Sequence, residues 1–457
     1  MWNWGIVLRL RERKMIRISD HVTYREYRDQ TFILDTQQHL SFHIDAPVGK
    51  LLDLFIADTT VEAAKKQLAA RYSKVPYKVL SDDVDAIVRF LTNNGLFAQE
   101  RTVSGGTAQS SHVNTRLFQR YTIREKLLYS ALFEVTYRCP ERCVHCYLEP
   151  SVLSEKYAAG SADELTADEI GNVLEQLAKL NVMDVTFTGG EPFVREDMFE
   201  ILELAHTKRF AIEIFSNGIL LDGPGITRLS KLRLHCFHSS IYSHISEKHD
   251  HITGVTGSFD KTVHVLRELS DRGVYINLKF VLMEQNKDDF QGVIDLAKSM
   301  RATVQLISAV SPSARGFRDI TDLGVRSDED LRQVVRQWNM ISDFQSHTGE
   351  FSFDDPICEA GRNSISINPY GIVTPCNAFH YEIGNVRKST VSKIWNKSKK
   401  LKRWQEMTKR DLTSCQNCAY ISRCSFCPGS ALNLSGNMLK KYSEACRQAR
   451  VQYDLNE

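Results

Sequence analysis

Apolar positions recur along this chain in two rhythms, and the rhythm changes twice. Short runs at 22–27, 31–35 and 40–44 are built from Val, Ile, Phe, Tyr and Leu between polar turns, and predict three strands. Helical stretches follow near 47–56, 61–72 and 80–94. The third places Val84, Ile87, Val88 and Leu91 at the 3–4 spacing of one buried face, and Thr59 or Thr60 stands where it caps the second. Three strands and then three helices predict a winged-helix-like module over 16–98. Residues 101–115 are rich in Ser, Thr and Gly and predict a flexible linker, within a connecting segment 99–122.

From 123 to 345 strands alternate with helices. The strands fall near 132–137, 184–188, 211–216, 234–241, 275–282 and 303–309. The helices fall near 167–180, 195–208, 224–232, 259–272, 288–300 and 328–344, the first opened by a Thr166 to Glu169 capping box. Six β/α units predict an α/β fold, a parallel sheet curled into a partial, TIM-like (β/α)6 barrel. Reactive groups then belong on loops at the carboxyl ends of strands. Beyond 346 the periodicity fades and cysteines take over.

Composition narrows the classes. A chain of 457 residues exceeds one ordinary core, and 42% hydrophobic with 25% charged residues describes a soluble globular protein. A net charge of +2 makes no electrostatic case for nucleic acid or an anionic membrane. No apolar run reaches the ~18 residues of a transmembrane helix. The first residues are apolar before they are basic, a poor signal peptide, so the expected location is cytoplasmic, with 1–15 an extension and Met15 an alternative start. A winged module suits DNA, but Asp82, Asp83 and Asp85 make one presumed recognition helix acidic. Its free strand edge suits an added peptide strand instead.

Eleven cysteines are many for a reducing compartment, where clustered thiols read as metal ligands. Cys139, Cys143 and Cys146 stand at C-x3-C-x2-C spacing just after the first barrel strand. Three thiolates on one loop hold three irons of a cubane cluster and leave the fourth open for chemistry. A zinc site completed by His145 or a distant Cys is the competing reading. Downstream come Cys358, Cys376, Cys415, Cys418, Cys424, Cys427 and Cys446, enough for two further clusters or for zinc ribbons. Cys236 stands apart in a strand, as a core residue. After the second strand, Gly189-Gly190-Glu191-Pro192 lets backbone approach a ligand closely and supplies a carboxylate for a cationic amine. The third and fourth strands end in Ser216-Asn217 and Ser239-Ser240, suited to hydrogen bonding a ribose or carboxylate.

The C-x3-C-x2-C loop, the Gly-Gly-Glu-Pro loop and the six β/α units together resemble the radical S-adenosylmethionine (SAM) superfamily. The C-terminal cysteines, with Gly371 five residues before Cys376, resemble the SPASM extension of its peptide-modifying members. The N-terminal module resembles the recognition element that binds leader sequences of ribosomally made peptides. The resemblance implies that Cys139, Cys143 and Cys146 hold a 4Fe–4S cluster that takes SAM. Gly189, Gly190, Glu191 and Pro192 would meet its amino group, and Ser216, Asn217 and Ser240 would serve the rest of its pocket. It further implies two auxiliary 4Fe–4S clusters, one on Cys358, Cys376 and Cys427 and one on Cys415, Cys418, Cys424 and Cys446.

The implied activity is a peptide cyclase of sactipeptide or ranthipeptide type. One electron cleaves SAM, the resulting radical takes a hydrogen from a precursor peptide, and a Cys sulfur is joined to an α- or β-carbon. A flavodoxin or ferredoxin would supply the electron. Carbon–carbon cross-linking or epimerisation on the same scaffold is the alternative, and a DNA-binding redox regulator is the alternative of another class. Two positions depart from the family. The usual Ser-x-Asp-Gly reads Ser240-Ile241-Tyr242-Ser243, and the Asp base of the sulfatase-maturing branch is Asn377, an amide that takes no proton at neutral pH.

Overall fold

The computed structural model describes residues 15–98, 111–148, 163–313, 320–341 and 351–455. The extension before Met15 and most of the glycine-rich part of the expected linker lie outside these. The chain divides into two compact units, Met1–Tyr121 and Thr122–Glu457.

In the first unit, β1 (Val22–Tyr27), β2 (Gln30–Asp35) and β3 (Leu40–Ile44) form an antiparallel sheet in the order β1-β2-β3. Helices Val61–Arg71 and Tyr77–Asn93 pack beside it, the first capped by the Thr60 hydroxyl. The expected face of Val84, Ile87, Val88 and Leu91 is buried in this unit's own core, with Phe55 and Phe97. The stretch at 47–56 is broken into Gly49–Leu52 and a 3-10 turn, Asp53–Phe55. One expectation is corrected here. Ser111–Arg124, placed within the linker, is a helix. Its Ser- and Thr-rich start masked the apolar Leu117, Phe118 and Tyr121 further on, and Phe118 is buried against Phe32.

In the second unit, β4 (Ser130–Thr136), β5 (Asp184–Gly189), β6 (Ala211–Phe215), β7 (Leu234–Ser240), β8 (Ile276–Val281) and β9 (Thr303–Ile307) are parallel and adjacent in chain order. Each of the first five is followed by a helix, among them Ala167–Lys179 with its capping box, Met198–Thr207 and Gly223–Ser230. Helix Asp328–Ile341 falls within the expected 328–344, whose last residues lie outside the described ones. The C-terminal cysteine-rich segment does not fold apart from the barrel. β10 (Ser364–Ile367) pairs in parallel with β4, and β11 (Ile372–Thr374) and β12 (Gly384–Asn385) continue the same nine-stranded sheet. Arg387 adds a two-pronged pair to Glu169 at 2.7 and 2.8 Å.

The sheet's two faces differ in chemistry. Phe133, Val185, Phe187, Ile212, Ile214, Phe237, Leu278 and Phe280 point to the helices and form the main core. The cross-strand neighbours on the other face include Glu134 beside Thr188, Thr186 beside Glu213, Phe215 beside His238 and Ser240 beside Lys279. A parallel strand buried on both faces is apolar throughout. Alternation here marks a barrel whose concave side is a polar cleft.

Candidate functional site

The Cys139–Cys146 loop leaves the carboxyl end of β4 and is held from two sides. Arg142 and Val144 donate backbone N–H bonds of 2.8 and 3.0 Å to Thr253 and Ile252 carbonyls, at the end of helix Ser246–Thr253. Those carbonyls have no partner within their own helix, so the loop completes the helix end. On the other side Gly190 N–H donates to Thr136 O at 2.8 Å and Glu191 N–H to Arg138 O at 2.9 Å. A Cβ at Gly189 would stand 2.1 Å from Thr136 O, and one at Gly190 2.4 Å from Arg138 O; Gly189 also has φ +146°. The paired glycines are what lets the second loop lie directly on the first.

Glu191 is fully buried. Its carboxylate accepts from Phe193 N–H at 3.0 Å, from the Ser216 hydroxyl at 2.8 and 3.0 Å, and from Asn217 N–H at 2.8 Å. Burial pushes its carboxyl up to about 7 despite these bonds. Its acceptor capacity is thus directed at the protein's own donors, and it ties the end of β6 to the glycine loop. Asn217 turns its amide toward Cys139 Sγ at 3.9 Å, while its carbonyl accepts from the Thr262 hydroxyl at 2.7 Å. Ser240, at the end of β7, hydrogen-bonds Tyr242, whose ring meets His145 edge-on at 4.6 Å. Four strand ends therefore bring the expected residues around one loop.

The Cys139 and Cys143 thiols ionise only with help from a metal centre. Burial, then Glu141, Glu191 and Cys146, push Cys139 up to about 12. Burial, Glu141 and the other two thiols raise Cys143 well above its ordinary range. Such thiols lose protons only against a strong local positive charge, which a metal centre supplies. Among the described residues the one His, Cys, Asp or Glu trio with ligand atoms within 4.8 Å of one another is Asp184, Glu213 and His235; no cysteine trio is that tight.

The C-terminal cysteines sort into two groups. Cys376 senses the charge of Cys358 and Cys427, and Cys358 that of Cys427. Cys424 senses Cys415, Cys446 and Cys418, and Cys446 senses Cys415 and Cys418. Cys236 is buried in β7, away from both sets in role, its thiol raised by burial.

Sequence reasoning missed Glu134, Tyr137 and Tyr147. Glu134 is buried on β4, and both tyrosines donate to it, at 3.1 and 2.8 Å. Burial pushes its carboxyl up to about 7. Asn377 in turn donates to the Tyr147 hydroxyl at 3.4 Å. A lone Glu inside the apolar run Ala131–Thr136 was the available signal, because a carboxylate in a central strand needs partners. Helix Ser246–Thr253, which clamps the cysteine loop, was also missed, its apolar positions being too few to set a period.

Residues 133–297 match the radical SAM superfamily, and residues 358–419 match an iron–sulfur cluster-binding domain named SPASM. The chain is 27% identical over 311 residues to the antilisterial bacteriocin subtilosin biosynthesis protein AlbA of Bacillus subtilis, covering 66% of this chain and 68% of that one. It is 27% identical over 281 residues to the PqqA peptide cyclase of Granulibacter bethesdensis, covering 58% and 73%. Its fold matches crystal structures of Streptococcus suis SuiB, bound to S-adenosylmethionine and to precursor peptide SuiA. The TM-score is 0.59 for each at 14% and 15% identity, over 94% of this chain and 100% of that one.

Proposed function

From the premise that this chain is a radical SAM enzyme with a SPASM extension, related to maturases of ribosomally made peptides, we propose that it cross-links a precursor peptide, joining a Cys sulfur to an α- or β-carbon. The observation that carries the reading is the contact between Asn377 and Tyr147. Asn377 follows Cys376 and Tyr147 follows Cys146, so the chain neighbours of one cysteine from each set touch. A cross-link needs that proximity, because a substrate radical at one site must give up a second electron nearby.

Cys139, Cys143 and Cys146 would hold the SAM-binding 4Fe–4S cluster. Cys358, Cys376 and Cys427 would hold one auxiliary cluster, and Cys415, Cys418, Cys424 and Cys446 another. When bound, the cluster and SAM supply a one-electron cleavage whose radical takes an unactivated hydrogen. The chain's own residues orient and enclose this chemistry. The backbone of Gly189–Pro192 would receive the SAM amino group, since the Glu191 carboxylate is directed at protein donors. Asn217 and Ser240 would border its nucleoside end. The three-cysteine auxiliary group leaves room for a substrate thiolate as fourth ligand. In the N-terminal unit β3 pairs with β2 alone among the described residues, and a leader strand would add along its free edge.

The likeness to a PqqA peptide cyclase favours a second reading, carbon–carbon bond formation. One experiment separates them. The reconstituted enzyme is incubated without oxygen with SAM, reductant and a precursor peptide encoded beside its gene, then read by tandem mass spectrometry. Loss of two hydrogens with core cysteines no longer alkylatable supports the thioether. Loss of two hydrogens with every cysteine free supports the carbon–carbon bond. No 5′-deoxyadenosine overturns both.

A further inference from the structure

The near-neutral total charge hides a strong asymmetry. Residues 387–411 contain ten Lys or Arg and two acids, net +8, in a chain whose total is +2; the remainder therefore carries −6. Two successive helices, Val391–Lys397 and Lys399–Glu406, carry six of these ten cations, while Arg387, Lys409 and Arg410 outside them pair with Glu169, Asp355 and Asp354. Lys393, Lys397, Lys399, Lys400, Lys402 and Arg403 are all exposed. Among the described residues none of the six forms an ion pair, and Lys400 instead lies 5.9 Å over the Tyr381 ring. Like charges at this density repel one another, and nothing in the helices themselves offsets that cost.

The opposite face of the same helices is apolar and packs on the SPASM cysteines' backbone. Trp404 is fully buried; its indole meets Phe379 at 4.9 Å and donates to Ala360 O at 2.6 Å. Phe379 N–H bonds to Cys376 O at 3.0 Å, and Ala360 N–H donates to Cys358 Sγ at 3.5 Å. Gln405 donates to Gly361 O at 2.7 Å, and Arg362 reaches back to Gln405 O and Met407 O, each at 2.6 Å. Helix Lys399–Glu406 thus joins the basic surface on one side to the chain neighbours of Cys358 and Cys376 on the other.

We infer that this basic face is the docking surface for a small, acidic, one-electron carrier protein, with Trp404 lying between the docked carrier and the Cys358 and Cys376 site. The inference rests on the proposed function, which demands electron traffic. Each turnover takes in one electron to cleave SAM to methionine and the 5′-deoxyadenosyl radical. That radical becomes 5′-deoxyadenosine by taking a hydrogen atom from the peptide. Closing the new bond releases one proton to solvent and one electron, which a centre held by Cys358, Cys376 and Cys427 would pass back to the carrier. A negative carrier surface facing these six unpaired cations gains on-rate and orientation from their field. Nucleic acid and the precursor peptide are the competing occupants.

The test uses the holoenzyme and a bacterial flavodoxin as probe, comparing wild type with the triple variant Lys399→Glu, Lys402→Glu, Arg403→Glu. Matching iron content and circular dichroism establish that the variant is folded. Flavodoxin binding is measured by calorimetry at low and high salt, and flavin reoxidation by stopped flow. The expected result is at least tenfold weaker binding and slower reoxidation in the variant, a steep salt dependence in wild type only, and equal 5′-deoxyadenosine formation when dithionite replaces the carrier. Unchanged flavodoxin binding in the variant overturns the inference. So does loss of affinity for the precursor peptide or for duplex DNA while flavodoxin binding stays intact. Absence of 5′-deoxyadenosine from wild type under dithionite counts against the proposed function instead, and the binding measurements still decide the surface.

Discussion

The Glu191 carboxylate and the Asn217 backbone N–H meet at 2.8 Å, joining the loop after β5 to the end of β6. Asn217 also turns its side chain to Cys139. Position in this site therefore passes from a glycine loop, through a buried carboxylate, to the cysteine loop. A side chain that sequence reasoning aims at a ligand acts first on the protein.

Removing that carboxylate should loosen the pocket. Glu191→Ala leaves the Phe193, Ser216 and Asn217 donors without their buried acceptor, at a cost on the order of 3 kcal/mol or more. The expected outcome is SAM affinity at least tenfold weaker by equilibrium dialysis, with iron content nearly retained. Wild-type affinity in this variant would show that the lock is dispensable.

Gly189→Ala should be worse than its size suggests. The new Cβ meets a backbone carbonyl at 2.1 Å, which no side-chain rotation relieves. The two loops must separate, so 5′-deoxyadenosine formation should fall below detection and the melting temperature should drop by several degrees. A near-normal variant would contradict the packing of one loop on the other.

Much of this was legible in the chain and some was not, for physical reasons. The β/α rhythm at 123–345 was readable because each helix carries an apolar stripe and each strand a β-branched or aromatic run. The paired glycines were weak alone; only the contact with Thr136 O and Arg138 O explains them. β10 was missed because Ser364-Ile365-Ser366-Ile367 is a four-residue alternation, too short to stand out beside cysteines. Partners distant in sequence, such as Glu134 with Tyr147, carry no local signal at all. The basic face escaped notice because total charge averages it away.

The cysteine groups predict separable losses. Cys143→Ala should abolish 5′-deoxyadenosine formation and remove about four irons, leaving the iron held by the C-terminal cysteines. Cys358→Ala should spare SAM cleavage better than cross-linking, because Cys358 shares charge with Cys376 and Cys427 and not with the Cys139 loop. Iron analysis with Mössbauer spectra checks the cluster content, and mass spectrometry of 5′-deoxyadenosine and of the peptide checks cleavage against cross-linking. Equal loss of cleavage and cross-linking in Cys358→Ala would make the extension merely structural.

Glu134 predicts a pH signature. Its carboxyl is pushed from 4.5 up to about 7 by burial, and the Tyr147 and Tyr137 hydroxyls only partly offset this. The folded chain therefore holds this proton more tightly than the unfolded chain does. Its contribution to stability is fully present below about pH 4.5 and is lost as pH rises through about 7. Above that, the ionised group costs on the order of 3 kcal/mol, at ~1.36 kcal/mol per pKa unit. Glu134→Gln keeps an acceptor oxygen for one tyrosine and has nothing to ionise. The variant should match wild type within a degree or two at pH 5 and melt several degrees higher than wild type at pH 8, under argon with the metal sites loaded. Glu191, raised in the same direction, keeps some slope in both proteins. A variant less stable than wild type at pH 8 would mean that the ionised carboxylate is needed by both tyrosines, and that burial does not dominate at this position.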